Sequence, residues 1–140
     1  MPICKSFGDK EIKPNIGIYS YPKERSGNQI NGQFVFDVST FRDPSGQALF
    51  TGLNGLDKSV ISWVGQDRRV PIIVKDCKLL ANDLIRPKPD GKSICYWLSI
   101  AFTDHHGKWI SVSVAEIVAD ALSSDGFNVA IYHVGLKDKT

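Results

Sequence analysis

The sequence predicts an α+β fold in which a mostly antiparallel, curled sheet of about six to eight strands carries two helices packed on it. Three observations lead to this prediction. Most segments alternate apolar and polar side chains with a period of two, as β-strands do. Two segments, 114–123 and 75–85, have the spacing of an amphipathic helix. Turn-forming residues separate the strand-like segments at short intervals, which favours hairpins.

The centre of the predicted sheet is a hairpin in the C-terminal half. Residues 94–102 place apolar side chains on both faces, which is typical of a strand covered on both sides. The polar turn at 103–108 contains Gly107, which can take the positive φ that such loops often need. Residues 109–114 alternate again, with Ile and Val on one face. The two runs therefore predict an antiparallel pair.

A short helix and a last strand follow this hairpin. Ser113 and Glu116 have the capping-box spacing, in which each side chain reaches a free backbone N–H of the other residue. Apolar residues form one stripe over 114–123, and Gly126 suits the left-handed conformation that ends many helices. Residues 127–134 alternate and predict the final strand.

The N-terminal half predicts further strands separated by loops. Residues 16–21 predict a short strand, and segment 23–33 predicts a polar loop. Residues 34–41 predict another strand. Segment 43–46 reads Asp-Pro-Ser-Gly, which suits a type I turn, so residues 48–50 are expected to return as the second strand of a hairpin.

Three segments in the middle of the chain leave the choice between helix and strand open. Segment 58–65 fits a helix that Asp57 would cap, but its β-branched residues favour a strand. Segment 70–74 predicts a strand, which Pro71 would restrict to the sheet edge. Segment 75–85 predicts a short helix, with continuation of the preceding strand as the alternative.

The composition is that of an ordinary globular chain. Its 140 residues suit one domain, 1–140, with a core large enough to fold without disulfides. The net charge of +2 argues against charge-driven binding of nucleic acid by the chain as a whole. Three widely spaced cysteines favour a reducing compartment. Because no signal peptide or long apolar run is recognisable, we expect a soluble, cytoplasmic protein without membrane contact.

No motif in the sequence names a reaction, so we predict no catalytic residue, no cofactor and no metal ligand. Asp104, His105 and His106 lie together at the predicted hairpin tip, where imidazoles could serve as general bases or metal ligands. Adjacent turn residues point apart, and no further His or Cys pattern completes a zinc site. The favoured interpretation is therefore a solvated turn in which Asp104 bonds nearby backbone N–H groups.

A local basic patch is a second candidate site. Arg68, Arg69, Lys75 and Lys88 lie near or after Trp63 in the sequence, and such a combination can bind phosphates and stack a base. Aspartates interleave with these cations and cancel much of their field. The sequence therefore disfavours nucleic acid as a partner and keeps this patch only as an alternative.

Aromatic side chains lead to the favoured hypothesis. Trp97 and Trp109 are expected on the sheet face opposite the core, and with Tyr132 and His133 of the last strand they form the predicted ligand or partner face. The predicted function is a non-enzymatic binding or protein-interaction module, which can form a homodimer through this face or the strand edge near Pro71. A small-ligand or enzymatic pocket between the sheet and the C-terminal helix is the alternative.

Overall fold

A five-stranded sheet forms the centre of the computed structural model, which describes residues 2–7, 13–23 and 32–137. The described strands are, in chain order, β1 Pro2–Phe7, β2 Ile16–Pro22, β3 Phe34–Asp37, β4 Leu98–Asp104 and β5 Val129–Lys137. They lie in the order β1-β5-β2-β4-β3 across the sheet. β5, β2, β4 and β3 run parallel to one another, and β1 pairs antiparallel with β5.

The predicted α+β fold with a mostly antiparallel sheet of about six to eight strands is wrong. The four strands β5, β2, β4 and β3 are parallel, so the fold is α/β. Tight hairpins cannot join parallel neighbours, because the chain must return along the sheet before the next strand begins. All residues of β4 are buried, as is typical of a central strand in such a sheet.

The described chain has three α-helices: α1 Lys58–Gly65, α2 Val70–Leu84 and α3 Ile110–Ser124. α3 packs on the sheet, and α1 and α2 pack against α3. α1 and α2 lie between β3 and β4 in the chain, and α3 connects β4 to β5. The strand favoured for segment 58–65 is wrong, because this segment forms α1. Its Val60 and Val64 side chains point into the core at helical spacing. None of these helices, nor any other within the described residues, is long and apolar enough to cross a membrane.

One helix, α2, replaces the strand predicted at 70–74 and includes most of the helix predicted at 75–85. Pro71 lies in its first turn, where a backbone N–H would have no partner within the helix. The buried face of α2 consists of Val70, Ile73, Cys77 and Ala81. The predicted helix is therefore confirmed, and the predicted strand edge near Pro71 is wrong.

The strand predicted at 109–114 as the second half of the C-terminal hairpin is wrong, because these residues begin α3. The helix predicted at 114–123 is confirmed as the rest of α3. The sheet covers one side of its first turns, and α1 and α2 cover the other. A helix covered on two sides fills both with apolar residues, so its β-branched start resembled a strand in the sequence. Ser113 does not cap this helix. Its hydroxyl donates instead to the carbonyl of Gly55 at 2.9 Å.

The hairpin predicted at 34–50 is also wrong. β3 pairs in parallel with β4, and Ala48–Phe50 forms a short 3-10 helix rather than a return strand. The strand predicted at 16–21 is confirmed as β2. Most of the polar loop predicted at 23–33 lies outside the described residues.

The two faces of the sheet differ. The helix-covered face contributes much of the apolar core: Ile16, Ile18, Leu98, Ile100, Phe102, Val129 and Ile131. On the second face, the ring of Tyr19 stacks on those of Tyr21 and Tyr132, with centroid distances of 5.9 and 4.8 Å. Trp97 lies directly over Gly17, where its indole leaves no room for a Cβ atom.

Candidate functional site

The carboxyl ends of the parallel strands meet at one edge of the sheet, where α/β proteins usually bind their ligands. The segments that follow β3 and β4 border a pocket of 80 Å³ at this edge. We call it the carboxyl-edge pocket, and its lining consists of Ser39, Asp43, Ser45, Asp104, His105, His106, Trp109 and Ile110.

Asp104 occupies the N-terminus of α3. This buried last residue of β4 accepts hydrogen bonds from the backbone N–H groups of Gly107 and Ser111, the second at 2.9 Å. The predicted bonding of Asp104 to nearby N–H groups is therefore confirmed, but the prediction that this carboxylate is solvated is wrong, because it is buried. The first N–H groups of a helix lack partners within it and carry partial positive charge. The carboxylate thus stands where a bound anion could otherwise be held, and the helix offsets its negative charge.

The loop between β4 and α3 lies tightly on the neighbouring strands. Gly107 has a φ of 68°, and a Cβ atom there would lie 2.7 Å from the backbone nitrogen of Pro22. On the other side, a Cβ atom at Gly135 would lie 2.5 Å from the carbonyl oxygen of Gly107. Close backbone contacts therefore fix this loop, which presents the exposed His105 and His106 at the pocket rim.

The two histidines stand side by side, with ring centroids 6.5 Å apart. Across residues 2–7, 13–23 and 32–137, no group of three or more His, Cys, Asp or Glu side chains could hold a metal ion. The pocket brings imidazoles, hydroxyls and carboxylates together at one end of the sheet.

A buried chain of hydrogen bonds lies between the sheet and α3. The Ser20 hydroxyl is 2.7 Å from Nδ1 of His133, and Nε2 of His133 is 3.0 Å from Oε2 of Glu116. Ser20 and His133 are fully buried, and Glu116 is nearly so. With Glu116 ionised, Nε2 donates to the carboxylate and Nδ1 accepts from the hydroxyl. We call this chain the Ser20–His133–Glu116 relay.

The relay has the residue types of a hydrolase triad, but its serine cannot reach a substrate. A nucleophile must touch the reacting atom, and the Ser20 side chain has no exposed surface. The relay instead ties β2 and β5 to α3 and gives the buried Ser20 hydroxyl and His133 imidazole hydrogen-bond partners. The relay and buried apolar side chains occupy the space between sheet and α3, where the sequence suggested an alternative ligand pocket.

The structure separates the four residues of the predicted ligand or partner face. Trp97 and Tyr132 lie on the second sheet face, next to the ring of Tyr19. His133 points to the opposite face, because successive strand residues alternate. Trp109 immediately precedes α3 and lines the carboxyl-edge pocket.

The predicted basic patch is also divided. Arg68 and Arg69 precede α2, the exposed Lys75 lies on it, and Lys88 lies beyond its C-terminus. The 15 residues of α2 span roughly 22 Å at 1.5 Å per residue. Lys88 therefore does not share a surface with the two arginines.

Arg69 stabilises the fold at the start of α2. Its Nη2 donates to Oδ2 of Asp67 at 2.8 Å and to the carbonyl of Thr40 at 2.6 Å, and its guanidinium lies over the ring of Phe41. The side-chain hydrogen bond from Arg69 holds the pKa of Asp67 well below its usual range. The same bond raises the pKa of Arg69.

Beside this ion pair lies an open cleft of 500 Å³. We call it the arginine cleft, and its lining consists of Arg42, Gln66, Asp67, Arg68 and Arg69. The guanidinium of Arg42 lies 3.6 Å from the ring centroid of Trp63. Sequence reasoning placed Arg68 and Arg69 near Trp63 but missed Arg42, which comes close only through the packing of the β3–α1 connection.

Other residues were missed because they depend on parallel strand pairing. Ser20 is the register partner of His133 in the β2–β5 ladder, and the segment with Ser39 and Asp43 follows the carboxyl end of β3. A parallel assignment of these strands is the signal that would have placed them together.

Comparison with known protein families matches residues 14–137 to the RapZ C-terminal domain. This chain belongs to the RapZ C-terminal domain family. A relative in Zymomonas mobilis subsp. mobilis, named a nucleotide-binding protein, is 32% identical over 130 residues, which are 92% of this chain and 39% of the relative. A nucleotide-binding protein of Dinoroseobacter shibae is 30% identical over 136 residues, 96% of this chain and 44% of the relative. The RNase adapter protein RapZ of Hamiltonella defensa subsp. Acyrthosiphon pisum is 29% identical over 135 residues, 96% of this chain and 46% of the relative.

The chain thus spans less than half the length of these relatives. Their names describe nucleotide-binding and adapter proteins, which agrees in part with the predicted binding or interaction module. The name of an RNase adapter gives no support to the prediction that nucleic acid is disfavoured as a partner. The cytoplasmic location stays a prediction.

Proposed function

We propose that this RapZ-family domain is a non-enzymatic regulatory domain that binds a small polar ligand in its carboxyl-edge pocket. The observation that carries the proposal is the convergence of two histidines and two serines at the carboxyl edge of a parallel sheet. The loop that presents the histidines is held by close backbone contacts, so the rim is organised before a ligand arrives.

The size of the pocket restricts what can enter. A volume of 80 Å³ corresponds to two or three waters at about 30 Å³ each, so it accommodates one polar group rather than a whole nucleotide. Imidazole and hydroxyl groups at the rim suit a phosphate or a set of sugar hydroxyls. Asp104 opposes an anion less than a free carboxylate would, because it accepts hydrogen bonds from the N–H group of Gly107 and from that of Ser111 in the first turn of α3.

Nucleotides are the first ligands to test, because that class appears in the names of two relatives. In the proposed complex, the phosphate end of a nucleoside monophosphate enters the pocket and the base remains outside. Titration of ¹⁵N-labelled protein with AMP and GMP follows the indole N–H signals of Trp109, which lines the pocket, and of Trp97, which does not.

We expect a saturable shift of the Trp109 signal while the Trp97 signal stays in place. The double variant His105→Ala/His106→Ala should weaken binding at least about tenfold, as the loss of hydrogen bonds to a charged ligand group predicts. Lys88→Ala, an exposed change at the other end of the domain, is the control. If neither nucleotide shifts Trp109, or if the control weakens binding equally, the nucleotide proposal fails.

Self-association is the second part of the proposal. The segment before β4 exposes three large apolar side chains in sequence, with exposed fractions of 64% for Ile94, 95% for Tyr96 and 38% for Trp97. A cluster of large exposed apolar side chains favours a protein interface. We propose that two copies of the domain meet here.

Light scattering after size-exclusion chromatography tests this interface. The wild-type protein should elute as a dimer at high concentration, and Tyr96→Ser should shift it to a monomer. Leu79→Ser removes another exposed apolar side chain, on α2, and is the matched control. A wild-type monomer at every concentration would remove this part of the proposal.

A further inference from the structure

We infer that the arginine cleft is a second binding site, which takes the phosphate groups of a polyphosphate ligand such as a nucleoside triphosphate. The cleft lies between the β3–α1 connection and the start of α2. No residue lines both this cleft and the carboxyl-edge pocket. The two sites can therefore be tested separately.

Two guanidinium groups in the cleft have unused hydrogen-bond donors. Only the backbone N–H of Arg42 is bonded, to Asp67 at 2.8 Å, and its guanidinium makes no hydrogen bond to any described residue. The side chain of Arg68 likewise makes no hydrogen bond within the described part of the chain. Each guanidinium offers five N–H donors in a planar fork that matches phosphate oxygens.

The charge of the cleft is positive because its one lining carboxylate is already engaged. Both oxygens of Asp67 accept hydrogen bonds from Arg69, at 2.8 and 2.9 Å. The lining holds three arginines and one aspartate, so two positive charges remain after this pair is subtracted. These two charges belong to Arg42 and Arg68, the same side chains that have free donors.

The cleft is also organised for a ligand and large enough for one. The indole of Trp63 supports the Arg42 guanidinium at 3.6 Å, so less side-chain freedom is lost on binding. The Asp67–Arg69 pair braces the loop from which Arg42 projects. A volume of 500 Å³ falls within the range of about 300–1,000 Å³ that is usual for ligand sites, unlike the 80 Å³ of the carboxyl-edge pocket.

Titration of the ¹⁵N-labelled chain with ATP and with pyrophosphate tests the inference. A phosphate bound by Arg42 brings negative charge next to the indole that this guanidinium contacts, so we expect a saturable shift of the Trp63 N–H signal. The double variant Arg42→Gln/Arg68→Gln should weaken ATP binding at least about tenfold, since it removes two charge-assisted contacts. Lys75→Gln/Lys88→Gln removes the same charge elsewhere and should change the affinity less than about twofold.

The other possible results of these titrations distinguish the arginine cleft from net charge, from the carboxyl-edge pocket and from RNA binding. If both double variants weaken ATP binding equally, the loss reflects the lower net charge of the chain, and the arginine cleft is not the binding site. A shift of Trp109 without Trp63 would place ATP in the carboxyl-edge pocket, which overturns this inference and supports the proposed function. If a single-stranded RNA decamer shifts the Trp63 signal and neither ATP nor pyrophosphate does, the ligand is not a free polyphosphate and the inference is overturned. Pyrophosphate binding that depends on Arg42 and Arg68 supports the inference even if the Trp109 pocket binds nothing.

Discussion

Ser20→Ala is the most direct test of the Ser20–His133–Glu116 relay. The substitution removes one hydroxyl and leaves Nδ1 of His133 without a donor at a fully buried position. An unsatisfied buried polar group costs about 1–3 kcal/mol, so we expect the free energy of unfolding to fall by about 2 kcal/mol. With an m-value of about 2 kcal/mol/M in urea, the unfolding midpoint should fall by about 1 M.

A double-mutant cycle then separates the relay from simple loss of packing. His133→Leu removes the imidazole that bonds both Ser20 and Glu116 and leaves the buried Ser20 hydroxyl without this partner, which is expected to cost about 1–3 kcal/mol. In that background Ser20→Ala should cost little, because the imidazole that needed its donor is gone. The double variant should therefore lose about 1–2 kcal/mol less unfolding free energy than the sum of the two single losses.

Ser124→Ala is the matched control for the hydroxyl. Its Oγ donates to the carbonyl of Asp120 at 2.9 Å, but at an exposed position, so a change within about 0.5 kcal/mol is expected. Urea unfolding is followed by circular dichroism and by tryptophan fluorescence, whose transitions should coincide. The reasoning is refuted if Ser20→Ala costs no more than Ser124→Ala, or if the effects of Ser20→Ala and His133→Leu add.

Two further predictions concern the loops that border the proposed sites. Gly107→Ala should lower the free energy of unfolding by more than about 1 kcal/mol and abolish ligand effects on Trp109, because φ is positive and Pro22 leaves no room for Cβ. Gly46→Ala, where a Cβ meets nothing within 4 Å, should change stability by less than about 1 kcal/mol, and equal losses in urea unfolding would contradict this account. The hydrogen bond from Arg69 lowers the pKa of Asp67 in the fold. The stability that the ionised Asp67 contributes is therefore present above its unfolded pKa of about 3.9 and is lost as the pH falls below that pKa. Asp67→Asn should therefore destabilise the domain at pH 7 and flatten the loss of stability below pH 4, and an unchanged pH profile of urea midpoints would count against the Asp67 ion pair.

Local signals in the sequence were sufficient for some elements and misleading for others. Pro22 and the alternation before it predicted β2, and the apolar spacing through Cys77 predicted most of α2. Pro71 indicated a strand edge, yet a proline is equally suited to the first turn of a helix. The β-branched run around Val112 indicated a strand, because a helix buried on two sides loses the one-sided pattern that identifies most helices.

The candidate sites were predictable only in part. Residue type and position in predicted turns or clusters were sufficient to single out Asp104, His105, Trp109, Arg68 and Arg69. Their partners lie far away in the chain, and a linear pattern carries no record of which strand ends meet. Trp63 supports an arginine that precedes it by some twenty residues, through a connection that the predicted hairpin would have placed elsewhere.

Residue order alone identified the apolar segments and the turns that interrupt them, and it indicated a core large enough to fold without disulfides. Those properties are local, since they depend on side-chain periodicity and backbone preference. Strand direction and the two-sided burial of α3 depend on contacts between distant segments. The same is true of the hydrogen bonds that join Ser20, His133 and Glu116. Parallel and antiparallel strands have the same side-chain period, so only long-range pairing and the helices that cross between strands distinguish them.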